Sequence, residues 1–287
     1  MRIVLLGAGG LLGRHLASEL EAGARGRGDE LVLLDRAGCD ITRRADTLAR
    51  TEGAHCIVNC AAWTRVDEAE SREEEAYRAN ALGAENVARA ARQHGASLVH
   101  VSTDFVFDGA QREPYDEFER PAPLSVYARS KWAGEELCRA VTRRLFLVRV
   151  QALYGAGGAN FSSRLRGLIE AGAPLKIDAE RRVQPTWARA AARQIAVLLR
   201  SELYGTYHVS CKGSSSWAEF ARHIAARLGV SPGWEEVATA SLGAPAARPV
   251  NSLFKHRMLA LRGLDIMPGW SVAADEYLAE EAARERS

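Results

Sequence analysis

The sequence has few of the features that mark a metal, disulfide or membrane protein. Its five cysteines, among 287 residues, are scattered, and none stands at CxxC spacing from another. An odd, unpaired set of this kind favours neither a disulfide framework nor a metal site, and it is typical of a reducing cytoplasm. No apolar run approaches the roughly 20 residues that a membrane span needs. We therefore expect no metal, no membrane contact and a cytoplasmic location.

The sequence also lacks an excess of either charge, and only four of its basic residues are lysines. The 38 basic residues nearly balance the 36 acidic ones, which gives a formal net charge of +2. Such a balance provides no general attraction to nucleic acid or to an anionic membrane surface. With 47% hydrophobic residues, the chain has enough apolar material for one large domain, or for a large domain with a small companion.

The first half of the chain alternates short apolar segments with longer helical ones. The short segments are rich in Val, Leu and Ile and apolar on both faces, as the strands of a covered parallel sheet must be. We predict strands at Arg2–Leu6, Leu31–Asp35, Cys56–Asn59, Leu98–Ser102 and Leu145–Arg149. We predict helices between them at Leu11–Ala22, Arg72–His94 and Tyr127–Thr142. The alternation predicts an α/β fold with a doubly wound parallel sheet of the Rossmann type.

After about Leu153 the alternation loosens. Further helices are predicted at Asn160–Ala171, Ala188–Arg200, Trp217–Leu228 and Ser271–Arg284. Ser216 is a suitable N-cap for the third of them, and Ala240–Asn251 carries the Gly, Pro and Ser of a loop. We therefore expect a Rossmann domain over residues 1–150. Residues 151–287 are expected to form mainly a smaller C-terminal lobe, interleaved with the last strands of the sheet.

A glycine-rich turn follows the first predicted strand and begins a helix. Gly7, Gly10 and Gly13 lie at GxxGxxG spacing, with Leu11 and Leu12 between the last two. Glycines allow a tight turn and a close approach of the backbone to a pyrophosphate, which then meets the free N–H groups of the helix N-terminus. The position after a strand predicts a dinucleotide site, and a plain strand-to-helix turn is the alternative.

The end of the second strand bears on the choice of cofactor. Asp35 lies about twenty residues beyond the glycines, where an acid accepts hydrogen bonds from the adenosine ribose and repels a 2′-phosphate. Arg36 follows directly and would instead hold that phosphate. The cofactor is therefore predicted to be NADPH or NADH, without a choice between them. Asp40 and Ile41 lie where a turn in contact with the adenine is expected.

Tyr127 and Lys131 are four residues apart on a predicted helix and therefore share one face. A nearby ammonium lowers the pKa of a phenol, because it favours the phenolate. Tyr127 would donate a proton to a carbonyl oxygen as a hydride reaches the carbon, while Lys131 would hydrogen-bond the nicotinamide ribose. The hydroxyl of Thr103, from the end of the fourth strand, would complete the site. A structural aromatic beside a solvated lysine is the alternative.

Further motifs are spread along nearly the whole chain, at Asn59–Thr64, Val66–Glu70, Asn80–Ala81, Ser102–Gly109, Pro114–Tyr115, Tyr127–Lys131, Gly134–Glu135, Tyr154–Gly155, Asn160–Phe161, Pro185–Thr186, Arg248–Ser252 and Pro268–Trp270. This linked set resembles the dTDP-4-dehydrorhamnose reductase branch of the extended short-chain dehydrogenases. The resemblance implies reduction of the 4-keto group of a nucleotide-linked 4-keto-6-deoxyhexose. It also implies that the C-terminal lobe binds the sugar nucleotide, and it makes a homodimer an expected assembly.

The resemblance also implies roles for individual residues. Thr103, Tyr127 and Lys131 would be catalytic, and Asn80 would support the site. The cofactor would further contact Ala61, Ala62 and Trp63. The substrate-binding residues that the resemblance implies are Thr103, Asp104, Phe105, Ala152, Asn160, Arg248 and Asn251. A planar arginine fork such as that of Arg248 suits a diphosphate.

This sequence departs from the family pattern in two places. Val150, Gln151 and Ala152 stand where the family has Thr-Ser-Trp, whose tryptophan would help to shape the sugar pocket. Val183 and Gln184 stand where the family has Gly-Ser. The sequence therefore leaves the identity of the sugar open.

Three other functions on this fold remain as alternatives. A sugar-nucleotide dehydratase would carry an acid two residues after Thr103, where this chain has Phe105. An epimerase would need an additional acid/base pair, and Cys138 and His100 stand at no recognisable spacing for that role. A non-catalytic dinucleotide-binding regulatory subunit would not need the intact Thr-Tyr-Lys set.

Overall fold

The structure of the chain is a computed structural model, which describes residues 1–157, 175–230 and 233–286 together with Leu165 and Gly167. In this described part, a sheet of six parallel strands forms the centre, in the spatial order β2-β1-β3-β4-β5-β6. The strands are β1 (Arg2–Leu6), β2 (Glu30–Leu34), β3 (Cys56–Asn59), β4 (Ser97–Thr103), β5 (Leu145–Val150) and β6 (Gly205–Val209). The predicted doubly wound parallel sheet is confirmed.

Helices cover both faces of the sheet. They are α1 (Leu11–Ala24), α2 (Arg44–Arg50), α3 (Val66–Ala69), α4 (Glu73–Tyr77), α5 (Gly83–His94), α6 (Val126–Val141), α7 (Ala188–Leu198), α8 (Trp217–Leu228), α9 (Arg257–Leu261) and α10 (Trp270–Glu285). Three pairs of short strands lie beside the sheet: Leu153–Tyr154 with Thr186–Trp187, Leu175–Asp178 with Trp234–Val237, and Arg182–Val183 with Ser215–Ser216. No helix among the described residues is long and apolar enough to cross a membrane.

Alternate residues of β1 explain how the sheet is covered. Ile3 and Leu5 pack into a core cluster with apolar residues of α1 and α7. Val4 and Leu6 point to the opposite face and pack into a second cluster, with residues of α5. Because β1 buries both of its faces, its sequence is continuously apolar rather than alternating, as in other parallel sheets.

The strand order reverses at β1, which has β2 on one side and β3 on the other. In open α/β sheets, ligands bind in the crevice at the carboxyl ends of the strands where the order reverses. The glycine turn follows β1 and the segment Cys60–Trp63 follows β3, so both lie at this crevice.

The long helix predicted near Arg72–His94 is present as a continuous helical segment from Glu73 to His94, but its middle turn is not α-helical. Between α4 and α5 the residues Arg78–Leu82 form a π-helical turn, which holds one more residue than an α-helical turn. The backbone carbonyl of Asn80, inside this turn, lies so close to α6 that only a glycine, Gly134, fits opposite it.

The other predicted boundaries of helices and strands in the described part of the chain differ from the observed ones by no more than two residues. Ser216 caps α8 in a capping box with Glu219, as its predicted role as N-cap requires. The predicted loop Ala240–Asn251 overlaps a short 3₁₀ helix at Thr239–Leu242. The predicted helix Asn160–Ala171 lies outside the described residues. No pattern in the sequence predicts the short helices α2, α3 and α9.

The contact between Gly134 and Asn80 leads to a first prediction. A Cβ atom at position 134 would collide with the Asn80 carbonyl oxygen and also approach the Ala84 side chain, at 3.3 Å. We expect Gly134→Ala to lower the free energy of unfolding by about 1–3 kcal/mol, because the packed backbone cannot yield. Urea denaturation would measure the change.

Gly23→Ala provides the matched control, since Gly23 also lies in a helix but its added Cβ would meet only the mobile end of the Arg27 side chain. This variant should gain stability by roughly 0.5–1 kcal/mol from helix propensity. Equal stability of the two variants would contradict the close packing of α6 on the π-helical turn.

Candidate functional site

The glycine turn is packed directly against the backbone that follows β3. Gly7 has a positive φ of 78°, and its N–H donates to the carbonyl of Leu34 at 2.8 Å. A Cβ on Gly7 would lie 2.6 Å from the backbone nitrogen of Ala61, and one on Gly13 would collide with the Gly7 carbonyl. The turn therefore excludes side chains and brings the N-terminus of α1 to the crevice. The first N–H groups of α1, those of Leu11 and Leu12, have no partner within the helix and fit the pyrophosphate of a dinucleotide.

The other predicted cofactor residues near the turn are placed as follows. Gly10 is the N-cap of α1, and Leu11 and Leu12 are its first two residues. Asp35 directly follows β2, is exposed, and accepts a hydrogen bond from the Gly38 N–H at 2.9 Å. Arg36 is exposed beside it. Both side chains of this pair therefore remain accessible to a ribose or its phosphate.

Asp40 and Ile41 have contacts within the protein. The Asp40 carboxylate accepts from the backbone and hydroxyl of Thr42, at 3.0 and 2.8 Å. The Ile41 side chain is buried against Gly83, while its carbonyl accepts from the Asn86 amide at 3.0 Å. Contact of this turn with an adenine stays a prediction.

The side-chain amide of Asn80 links the segment after β3 to α6 through hydrogen bonds. The Asn80 side chain accepts from the Trp63 N–H at 2.8 Å and donates to the Trp63 carbonyl at 3.0 Å. It also donates to the Ser130 hydroxyl at 3.0 Å. Ala61, two residues earlier, donates its N–H to the Asn59 side chain. The half-buried segment Ala61–Trp63 is thereby fixed beside the helix that carries Tyr127 and Lys131.

The three predicted catalytic side chains are buried at the carboxyl edge of the sheet. Thr103 ends β4, while Tyr127 and Lys131 lie in the first two turns of α6, whose N-cap is Ser125. Their exposed fractions are 6%, 9% and 3%. The Lys131 ammonium donates to the carbonyl of Val101 in β4, at 2.7 Å. Helix α6 is thereby attached to the strand that provides Thr103.

Burial determines the protonation of both titratable groups. It raises the pKa of the Tyr127 phenol to about 12, although a hydrogen bond from Thr103 acts in the opposite direction. The expectation that the pKa of Tyr127 is lowered is therefore wrong for this structure, because burial disfavours the charged phenolate. Burial lowers the pKa of Lys131 to about 8, while the charge of Glu135 opposes this change. At neutral pH the Tyr127 phenol is therefore neutral, while Lys131 is an ammonium.

Glu135 itself is completely buried one turn further along α6. Its carboxylate pairs with the equally buried guanidinium of Arg149, at 3.0 and 2.7 Å, and with Arg139 at 3.2 Å. These cations hold the pKa of Glu135 below its ordinary value even though burial raises it. Glu135 therefore provides a buried negative charge near Lys131.

Two of the predicted substrate residues, Asp104 and Phe105, directly follow Thr103 in the chain. Asp104 follows Thr103 and is buried, with its carboxylate accepting from Thr103, Gln151 and Ser252. The Phe105 ring packs edge-on against the Tyr127 ring, with centroids 6.0 Å apart. Aromatic contact thus fills the position at which a dehydratase would carry its acid.

Ala152 has a left-handed backbone, with a φ of 45°, which is rare and strained for a residue other than glycine. Its carbonyl accepts from the Thr186 N–H at 3.1 Å. Such strain is often found at ligand sites. Asn160, another predicted substrate residue, lies outside the described residues.

Arg248 and Asn251 make contacts within the protein. The Arg248 guanidinium forms a bidentate ion pair with Asp67, at 3.0 and 2.8 Å, which joins the C-terminal segment to α3. The Asn251 amide donates to the carbonyls of Gln111 and Arg112, both at 2.9 Å. Substrate contact by either residue stays a prediction.

Sequence reasoning missed a group of buried polar side chains behind the site. Arg149 lies within 3.3 Å of His208, which is completely buried. The other ring nitrogen of His208 lies 3.1 Å from the Tyr115 carbonyl, and its backbone N–H donates to Glu117. An arginine inside the otherwise apolar strand β5 was the available signal. Among the described residues, no cluster of ligands suits a metal ion.

Comparison with known proteins agrees with this geometry. The family model described as the RmlD substrate binding domain matches residues 1–283. The spore coat polysaccharide biosynthesis protein SpsK of Bacillus subtilis is 33% identical over 98% of both chains. The dTDP-4-keto-6-deoxy-D-glucose reductase of Streptomyces niveus is 35% identical, over 95% of this chain and 94% of its own.

A crystal structure of dTDP-4-dehydrorhamnose reductase from Bacillus anthracis, in complex with NADP, has the same fold. It superposes with a TM-score of 0.93 at 38% identity and covers 97% of this chain and 99% of its own. This chain therefore belongs to the RmlD substrate binding domain family, in the dTDP-4-dehydrorhamnose reductase branch of the extended short-chain dehydrogenases.

Proposed function

We propose that the protein reduces the 4-keto group of a nucleotide-linked 4-keto-6-deoxyhexose, with NAD(P)H as hydride source and Tyr127 as proton donor. One observation carries this proposal: the buried Tyr127 and Lys131 share one face of α6, and Lys131 is hydrogen-bonded to β4, the strand that ends at Thr103. The names of the relatives from Streptomyces niveus and Bacillus anthracis support dTDP as the nucleotide.

The reduced dinucleotide, when bound at the turn, supplies a hydride to the carbonyl carbon. Tyr127 then gives its phenolic proton to the carbonyl oxygen, so that the ketone becomes an alcohol and the phenol a phenolate. The ammonium of Lys131 stabilises that phenolate. The Thr103 hydroxyl orients the carbonyl by turning its proton from Asp104 to the carbonyl oxygen of the bound substrate. With a pKa of about 12, Tyr127 holds its proton at neutral pH, as a donor must.

The burial of these groups strengthens every electrostatic interaction among them, because water is excluded from the protein side of the site. It also explains why Lys131 needs Glu135 nearby. Without that carboxylate, burial would lower the pKa of Lys131 further.

Removal of the Tyr127 hydroxyl tests the proposal. We expect Tyr127→Phe to lower kcat by about 10²- to 10⁴-fold, because the proton donor is lost while the ring remains. The measurement is the loss of NADH or NADPH absorbance with a panel of nucleotide-linked 4-keto-6-deoxy sugars.

Tyr204→Phe is the control, because the Tyr204 hydroxyl accepts a hydrogen bond from Arg144 and lies away from Tyr127 and Lys131 on α6. This variant should keep its kcat. Both variants should bind the dinucleotide as the wild type does. The proposed function would be refuted if the wild-type protein binds the dinucleotide but none of the keto sugars in the panel causes its oxidation.

The pH dependence tests the role of Lys131. Its pKa of about 8 lies below the ordinary value of 10.5, so the ammonium is present below pH 8 and is lost as the pH rises through that value. We therefore expect kcat/KM to fall above about pH 8. Lys131→Arg should move this fall upward by more than two pH units, whatever its effect on the maximal rate, since a guanidinium keeps its proton to above pH 12. A fall that stays near pH 8 in the variant would assign it to another group.

Arg248 is the cation that we propose for the substrate diphosphate, with Asp67 holding its guanidinium in position. We expect Arg248→Met to raise KM for the sugar nucleotide by roughly 10- to 100-fold, as loss of a charged hydrogen bond does, with the KM for the dinucleotide unchanged. The control Arg257→Met breaks a comparable ion pair, to Asp116 at 2.8 Å, and should leave both KM values unchanged. Equal effects of the two variants would count against a diphosphate contact.

A further inference from the structure

The two positions at which this chain departs from the family pattern are joined in the structure. The Gln151 side chain is 1% exposed and directly follows β5, and its oxygen accepts from the Gln184 N–H at 2.6 Å. Its amide nitrogen donates to the carbonyl of Ser252 at 2.6 Å and to the Asp104 carboxylate at 3.1 Å. The polar atoms of this buried amide are all hydrogen-bonded, which is what fixes a side chain in one orientation.

Gln184 continues the same network on the other side. Its oxygen accepts from the Ser210 hydroxyl at 2.9 Å and from the Phe254 N–H at 2.7 Å, and its nitrogen donates to the Phe254 carbonyl at 3.1 Å. Ser210 directly follows β6, as Gln151 follows β5 and Asp104 follows β4. The two glutamines thus connect the carboxyl ends of three neighbouring strands with the segment 252–254.

Asp104 is the point at which this network meets the catalytic set. One of its carboxylate oxygens accepts from Gln151 and from the Ser252 hydroxyl, the latter at 2.6 Å. The other oxygen accepts from the hydroxyl of Thr103, at 3.2 Å. A threonine hydroxyl has a single proton, so Asp104 competes with a substrate carbonyl for it. The hydrogen bonds that Gln151 and Ser252 donate to the other carboxylate oxygen weaken the hold of Asp104 on that proton.

From these contacts we infer that Gln151, held in turn by Gln184, is a positioning residue for the Thr103 hydroxyl and acts through Asp104. The inference rests on the proposed function, in which Thr103 orients the carbonyl beside Tyr127. Gln151 touches none of the reacting groups in this scheme, so its influence on the rate passes through the carboxylate alone.

The matched pair of variants is Gln151→Met and Gln194→Met. Gln194 is also a completely buried glutamine that links backbone groups, to Leu264 and Ile266 at 2.9 Å each, but it lies on α7 away from Asp104. Methionine keeps the volume and removes the hydrogen bonds in both cases. Both variants should therefore lose similar melting temperature, so that stability alone does not separate them.

Activity should separate them. We expect Gln151→Met to lower kcat on the order of tenfold, because Asp104 loses a charge-assisted hydrogen bond, and Gln194→Met to leave kcat within about twofold. In a Thr103→Val background, Gln151→Met should have no further effect on kcat, because the hydroxyl through which it acts is gone. Equal kcat values for the two glutamine variants, or independent effects of Gln151→Met and Thr103→Val, would overturn the inference.

A second measurement needs no substrate. Burial raises the pKa of Asp104, whereas Ser252, Gln151, the charge of Arg181 and Thr103 lower it. Titration of the ¹³C-labelled carboxyl, assigned through Asp104→Asn, should move to higher pH in Gln151→Met and stay unchanged in Gln194→Met. If Gln151→Met does not fold, Ser252→Ala removes the other donor from the same oxygen and should shift the titration in the same direction.

The two measurements distinguish the possible failures. A wild-type protein inactive on every keto sugar would refute the proposed function, while the carboxyl titration would still decide whether Gln151 orients Asp104. An active wild type with an unshifted titration in both variants would refute the positioning role alone.

Discussion

The contact on which the site depends is the backbone-to-backbone approach of Gly7 to Ala61 at the end of β1 and β3. No side chain fits between them, since even a Cβ would lie 2.6 Å from the Ala61 nitrogen. This approach brings the N-terminus of α1 to the crevice where the strand order reverses. A second close approach, of Gly134 to Asn80, seats α6 against the same edge. These two glycines let the glycine turn approach the end of β3 and let α6 approach the π-helical turn.

Desolvation then controls the chemistry of the groups that these contacts bring together. It holds the proton on the Tyr127 phenol and weakens the hold of Lys131 on its own proton, because in both cases the charged form is disfavoured. The buried Glu135 limits the second effect, and Arg149 in turn neutralises Glu135. The charges behind the site thus form a chain in which each member is compensated by the next, as buried charges must be.

Much of the fold and of the candidate site was predictable from local sequence. Apolar runs specify β1, β3, β4 and β5, and the spacing of the glycines and of Tyr127 and Lys131 specifies their faces and ends. The raised pKa of Tyr127 was not predictable, because burial depends on tertiary packing that a four-residue spacing does not contain. The π-helical turn at Arg78–Leu82, which packs against α6, likewise has no local signal in the sequence.

The buried polar groups were the least predictable part. Gln151 and Gln184 stand out in the sequence only as departures from a family pattern, and nothing local indicates that one accepts a hydrogen bond from the other's backbone. His208 is similar, since its neighbours on the strand are apolar and its partners Arg149, Glu117 and Tyr115 are distant in the chain. Hydrogen bonds between such distant residues follow from topology, which short-range patterns do not encode.

The hydrogen bond between Asp104 and Ser252, which spans 148 residues, has a consequence for biosynthesis of the chain. The turn at Gly7 and strands β1 to β5 all come from the first 150 residues, which leave the ribosome first. The carboxylate beside Thr103 acquires its last partners only when the segment 252–254 has emerged. Synthesis of the nascent chain must therefore be nearly complete before the hydrogen bonds around Asp104 can all form.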